Sequence, residues 1–299
     1  MGYLFLFLAL VFGITKAYSG KRSSYAAKSS LDAITITSVR MVLCVIFGLA
    51  VVLIGGGVTA ENTSAKVLLI ALLCGVTTAS FTACWLLTVR TSAYMIVEVF
   101  VTFGVVIPLT LSAILYKESI GILQGVGILL LIIAVYCMST YNKTEKIRLT
   151  LKDFLLLFSC SATSGLSDFS QKLYIKEVAN QNVPLFNLYT YSFAAIVLVI
   201  ACIVVRASAK NKAELKSPIA TVKPIFIYVV IMAVCLFLNA YFKTRAAGYL
   251  DAVLLYPLSQ GCAVILAVFM AVFLFKEKIN AKGILGVALS LLAMILINL

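Results

Sequence analysis

The segment Tyr256–Ile297, YPLSQGCAVILAVFMAVFLFKEKINAKGILGVALSLLAMILI, decides how the chain is read. An apolar run with Pro257 near its start ends at Phe275-Lys276-Glu277. A short polar break follows, and then a second apolar run with Gly283 and Gly286 in its first turns. The first half of the chain carries a copy. Tyr116-Lys117-Glu118 stands 159 residues before Phe275-Lys276-Glu277. At that offset Ile120, Gly127, Leu130 and Ala134 meet Ile279, Gly286, Leu289 and Ala293 without a gap. A repeat of about half the chain dictates the architecture.

The composition says in which solvent that architecture forms. Of 299 residues, 63% are hydrophobic and 12% charged, against about 45–50% and about 25% in a soluble domain. The apolar excess is spread over segments near the length that spans a bilayer as a helix. The polar breaks are too short for a soluble domain, so the reading is one polytopic membrane unit without an extramembrane catalytic domain. The first segment opens at Gly2 without a basic leader or a small-residue cleavage site, and reads as a retained span. The net charge of +13 comes from loop residues placed to set orientation and meet anionic headgroups; nucleic acid is not an expected partner. The eight cysteines lie inside apolar runs without a CxxC pair. They read as small core residues, not as disulfides or metal ligands. The chain has no histidine, which removes the commonest general base and most zinc chemistry. It has no GxxxxGK[ST] loop for ATP either. No cofactor or metal is expected.

Ten apolar segments follow, at roughly 2–19, 33–56, 66–88, 92–115, 120–140, 152–175, 184–205, 220–243, 250–275 and 281–298. All must be helical, because lipid offers backbone groups no hydrogen bonds. The expected fold is therefore all-α, with ten transmembrane helices in two five-helix repeats, residues 1–140 and 152–299, joined by a linker at 141–151. Five is odd, so the halves face opposite ways across the membrane, the inverted repeat of many secondary transporters. Pro108 and Pro257 fall inside the fourth and ninth segments and are expected to kink them. Of the 21 loop lysines and arginines, 16 lie in the odd-numbered loops. This bias places those loops in the cytoplasm and both termini outside.

Polar residues inside the spans are the functional candidates. Lys16, Arg40, Lys172, Glu98 and Asp168 fall in apolar segments. Each costs at least about 2.5 kcal/mol at a helix centre, so none is expected to face lipid. Lys16, close to the predicted end of its segment, is read as snorkelling to the interface, and Arg40 as snorkelling or structurally paired. In the sixth segment Ser161, Ser164, Gly165, Asp168, Gln171 and Lys172 form one stripe at helical period. Ser161, Ser164 and Gly165 suit a cavity wall and close helix packing equally, and Asp168 favours the cavity. Asp168 and Lys172, four apart, are placed to pair with each other. Tyr94, Glu98 and Thr102 share a face of the fourth segment, and Glu98 aligns by the repeat with Pro257, beside Tyr256 and Gln260. A carboxylate held from water exchanges protons near neutral pH. Glu98, and after it Asp168, is thus the candidate coupling site, with a salt-bridge role for Glu98 as the equal alternative. Trp85, Asn187 with Tyr191, and Asn239 with Lys243 complete the cavity candidates. Glu118 and Glu277 read as interfacial caps.

The KE pairs, the Tyr-Pro opening of the ninth segment, the glycines of the fifth and tenth and Arg40 of the second together resemble the drug/metabolite transporter superfamily. The resemblance is to its ten-helix EamA-like branch and covers essentially the whole chain; the last 45 residues also resemble the small multidrug resistance proteins. It implies a secondary transporter for small organic solutes, often an exporter of amino acids, other metabolites or drugs. It also implies a cavity walled by the third, fourth, eighth and ninth helices, with the fifth and tenth peripheral. Two departures stand out. Glu98 occupies a position where the family pattern places a proline. Gly13 stands in a first helix without an acid, where the small multidrug proteins carry their essential glutamate. Family members are often described with cytoplasmic termini, opposite to the charge count.

The expectation is an exporter of the cell membrane working by alternating access, not an enzyme, coupled to protons and present as a monomer or homodimer in the lipid bilayer. A passive solute channel is the alternative, and a membrane-embedded enzyme a more distant one. The mixed signs of the embedded charges lean toward a zwitterionic or neutral polar solute.

Overall fold

The computed structural model describes residues 1–55, 57, 63–91, 94–117, 121–141, 150–208, 217–276 and 281–298. The helices are α1 (Gly2–Ser24), α2 (Ser30–Ile54), α3 (Ala65–Thr91), α4 (Tyr94–Phe103), α5 (Val106–Tyr116), α6 (Ile122–Tyr141), α7 (Leu151–Glu177), α8 (Val183–Ala207), α9 (Pro218–Val222), α10 (Phe226–Ala247), α11 (Ala252–Phe269) and α12 (Ala281–Asn298). A 3₁₀ turn at Lys223–Ile225 joins α9 to α10, and a π turn at Met270–Leu274 extends α11. With α4 and α5 as one interrupted span, and α9 and α10 as another, the described residues form ten membrane spans. Seven are long and apolar enough to cross a bilayer by composition alone. The runs in α6 and α12 are shorter, and α7 carries the polar stripe. The protein is an all-α, multi-pass membrane protein of two inverted five-helix repeats. Large apolar side chains such as Ile46, Leu53, Leu129, Ile200 and Ile295 lie exposed on its outer surface, as a lipid-facing wall requires.

The repeat is visible in the packing. α1 lies on α10 as α7 lies on α3; α3 touches α8 as α10 touches α2; α4 touches α7 as α11 touches α1. Three further contacts join equivalent spans across the pseudo-twofold: α2 with α8, α4 with α11, and α6 with α12. The backbone repeats too. Among the described residues, two non-glycine residues have positive φ, Lys117 (55°) and Lys276 (54°). They stand 159 apart, each closing its span in a left-handed conformation that such residues rarely adopt. The acids that follow them, Glu118 and Glu277, lie outside the described residues, as does most of the 141–151 linker.

The helix ends follow local sequence rules. Ser29 with Asp32 forms a capping box on α2, and Thr150 with Asp153 forms one on α7. The kink expected at Pro108 is a full interruption at Gly104–Val105. A proline ring clashes with the carbonyl four residues back and donates no hydrogen bond to it, and four residues back from Pro108 is Gly104. Pro257 lies within continuous α11. At the interruption the two halves approach closely. A side-chain carbon on Gly165 would collide with the Gly104 carbonyl oxygen, and one on Gly104 with the Ser161 carbonyl oxygen. Two glycines therefore let the broken span lie directly on α7. Of the three residues the sequence leaves open, Gly165 and Ser161 serve this packing, and Ser164 reaches the cavity.

Gly165→Ala is expected to lower stability by about 1–3 kcal/mol, the usual cost of overpacking. Gly125→Ala, where the new methyl meets nothing within 4 Å, is expected to leave it unchanged or higher. Thermal unfolding of the purified protein in one detergent compares the two; equal midpoints would refute the close contact.

Candidate functional site

A cavity of about 170 Å³ lies between the halves. Its walls come from α1, α2, α3 and α4 of the first half and from α7, α8, α10 and α11 of the second. The resemblance implied four helices; the structure adds the first, second, sixth and seventh spans. α6 and α12 pack on each other outside the cavity, where Gly127 meets Ala293 and Ile297 closely.

Glu98 is half-buried on the α4 face of the cavity. Its Oε1 accepts a hydrogen bond from Trp85 Nε1 at 3.2 Å. Trp85 can lie there because α1 has a glycine opposite: a side chain on Gly20 would overlap the indole ring. Tyr94 stands edge-on to Trp85 at 6.3 Å between ring centres and also contacts Phe275 at 5.8 Å. Thr102, third on that face, gives its hydroxyl to the Glu98 carbonyl of its own helix at 2.8 Å and does not line the cavity.

Asp168 is buried on α7 and lines the same space. Its partner is Lys243 of α10, whose Nζ donates to both carboxylate oxygens at 2.7 and 2.8 Å. The sequence suggested Lys172 instead, four residues along the same helix. Lys172 points away from the cavity, buried near the Tyr116 ring at 5.9 Å. The carboxylate turns instead toward α10, the span that faces it. The pair is braced from α11. Tyr256 donates to the Asp168 backbone carbonyl at 2.8 Å, and its ring lies 5.5 Å from Lys243 Nζ. Tyr256 thus supports the wall from behind, while Gln260 lines it. Gln171 also lines it and accepts from Thr244 at 3.1 Å.

Lys16 and Arg40 correct the sequence reading. α1 continues to Ser24, so Lys16 is a full two turns from the helix end and does not snorkel. Its Nζ lies 3.4 Å from Asn239 Oδ1 across the boundary between halves. Asn239 also donates to the Ala9 carbonyl at 2.6 Å, in the space that Gly13 leaves open. Arg40 is 2% exposed and lines the cavity. Its Nε and Nη2 have no hydrogen-bond partner among the described residues. Tyr191 lines the cavity beside it and donates to the Leu236 carbonyl at 3.1 Å. Asn187, one turn away, is buried outside the lining.

The structure therefore brings together Glu98, Asp168, Tyr94, Trp85, Gln171, Tyr191, Asn239 and Gln260, and sets Thr102, Lys172, Asn187 and Tyr256 behind or beyond the wall. Lys16 and Arg40 were underrated because distance to a helix end was judged from hydropathy. The serines at 19, 23 and 24 lowered the apolar score where the helix continues. Thr78 and Ser167, which join α3 to α7 at 3.0 Å in the wall, left no sequence signal beyond being hydroxyls.

Comparison with known proteins agrees with this architecture. No curated protein matches the chain. One matching solved structure, described only as the crystal structure of a protein, superposes with a TM-score of 0.66 at 12% identity over 99% of this chain and 95% of its own. At that identity the likeness is one of fold. A sequence profile of the EamA-like transporter family matches residues 1–140 and 151–299. With both halves matched, the chain belongs to the EamA-like transporter family.

Proposed function

We propose that this chain is a secondary active transporter that exports a small organic metabolite or drug across the cell membrane by alternating access. One observation carries the reading: a cavity between two inverted halves, into which both halves send charged side chains. Inverted-repeat carriers place their sites at such a boundary. Charge at this depth is costly unless it serves a pathway or a pair. The matched contacts of the halves support a rocking motion, because each packing arrangement has a counterpart on the other side.

Glu98 is the proposed proton-coupling group. Its carboxylate faces the cavity and accepts a hydrogen bond from Trp85, and among the described residues it forms no ion pair like that of Asp168 with Lys243. Asp168, by contrast, is locked to Lys243 by two short bonds. Monomer or homodimer, with both termini outside, completes the proposal.

Purified protein is first screened by thermal shift against amino acids, organic acids, nucleosides, sugars and cationic dyes; a stabilising solute raises the midpoint by mass action. In proteoliposomes that solute is expected to show saturable counterflow, with internal unlabelled solute accelerating uptake of label. Non-saturable passage without exchange would make the protein a channel. Glu98→Gln preserves the acceptor for Trp85 while removing the titrating group. It is expected to abolish uptake driven by a pH gradient and to keep counterflow. Unchanged pH-driven uptake in a well-expressed variant would remove Glu98 from coupling.

A further inference from the structure

We propose that Arg40 is the anion-binding group of the cavity and that the solute is a small organic anion, an acidic group on a compact, largely apolar body. This rests on the carrier reading above and narrows it.

Arg40 lies ten residues in from Ser30, the start of α2, or about 15 Å along the axis. That is near mid-membrane, beyond the reach of snorkelling. It lines the cavity, yet makes no hydrogen bond or ion pair to any described residue, and two of its nitrogens are enclosed without a partner. A buried guanidinium in that state is incomplete. Its neighbours are committed elsewhere: Tyr191 donates to Leu236 and the Cys44 thiol to the Ala233 carbonyl at 3.3 Å.

Charge accounting gives the sign of what is missing. The cavity holds three cations, Lys16, Arg40 and Lys243, and two acids, Glu98 and Asp168. Asp168 is taken by Lys243. Lys16 and Glu98 bring opposite charges into the same cavity and offset each other in the sum. Arg40 remains as a single uncompensated charge. A neutral or zwitterionic solute brings no net charge to answer it, and a cation adds to it. A monoanion answers it. This reverses the lean toward a zwitterion or neutral solute taken from the mixed signs of the embedded residues, because the one ion pair in the cavity removes Asp168 and Lys243, Glu98 offsets one of the two remaining cations, and one positive charge is left. The planar fork of arginine matches the two oxygens of a carboxylate or phosphate. Phe81, Trp85, Tyr94 and Tyr191 add aromatic surface to an otherwise largely aliphatic apolar lining. The unpartnered edge, Nε and Nη2, is enclosed in this conformation, while the residue itself lines the cavity.

Three probes of similar body test the sign and the source of the charge: 3-phenylpropionate, its neutral amide 3-phenylpropionamide, and phenylphosphonate. Purified full-length protein is titrated with each, following the thermal midpoint. Stabilisation by 3-phenylpropionate or phenylphosphonate, and not by the amide, is expected. Carboxylate alone points to organic acids, and a stronger response to phosphonate points to phosphate esters. Arg40→Gln is expected to weaken the response at least tenfold, and Arg40→Lys, which keeps the charge and loses the fork, by a smaller factor. Should Arg40→Gln fail to fold, the titration of Arg40→Lys decides. Equal stabilisation by the amide, no response to either anion, or full response in a folded Arg40 variant would each overturn the proposal. Counterflow of labelled 3-phenylpropionate separates the two claims. Anion binding without exchange removes the carrier reading and leaves the Arg40 site. Counterflow of a neutral solute with no anion binding does the reverse.

Discussion

A charge inside a bilayer must be answered, by an opposite charge, by hydrogen bonds or by water. The centre of this molecule is arranged around that requirement. The Asp168–Lys243 pair meets it fully, with two bonds under 3 Å and a tyrosine ring alongside. Removing either member would strand a buried charge, which typically costs about 3–5 kcal/mol. Glu98 meets it partly, through one indole N–H and an opening to the cavity. Arg40 meets it through no described side chain. The five charges thus run from satisfied to unsatisfied within one space. The fully satisfied pair fixes the wall, and the others are left to interact with whatever enters.

The scaffold is symmetric and the chemistry is not. Contacts between spans recur under the pseudo-twofold, down to a left-handed lysine at the end of each fourth span. Yet Glu98 corresponds to Pro257, and neither Lys16 nor Arg40 has a charged counterpart 159 residues on, where Ile175 and Val199 stand. Symmetric packing keeps alternative arrangements of the halves close in energy. Asymmetric side chains give the cavity one polarity, whichever way it opens. A ligand shifts such an equilibrium only by its differential affinity for the two states, and a group unsatisfied in one state is a direct source of that difference.

Much of the fold was legible in the sequence because lipid leaves few options. Backbone groups must pair within helices, so ten apolar runs meant ten spans, and a gapless offset meant two equivalent halves. Ends were less legible where polarity rose before the helix stopped, as after Ser19. The break at Gly104 followed from Pro108 in position, but its purpose, a glycine-to-glycine crossing with α7, depended on what lay opposite. At the site, helical spacing grouped Tyr94 and Glu98 of α4 and Ser164, Asp168 and Gln171 of α7, which line the cavity, with Thr102, Ser161 and Lys172, which do not. It could not choose partners. Asp168 had a lysine four residues away in the same helix and took one from α10, because pairing across helices is decided by which spans face each other.

That limit bears on how a cavity of this kind should be read. The embedded charges, taken as a list, were of mixed sign and suggested a solute with both signs or neither. In the cavity Lys243 takes the place of Lys172 and pairs with Asp168, Lys16 and Glu98 offset each other in the sum, and one positive charge is left over, with Arg40 the cation whose nitrogens lack a partner. The informative quantity is therefore the residue left after pairing, which composition cannot supply. Its sign survives protonation: a proton loaded on Glu98 from solution raises the positive surplus of the cavity and does not reverse it. Whatever couples transport to an ion at Glu98, the occupant that best completes this cavity is one that brings a negative charge to α2.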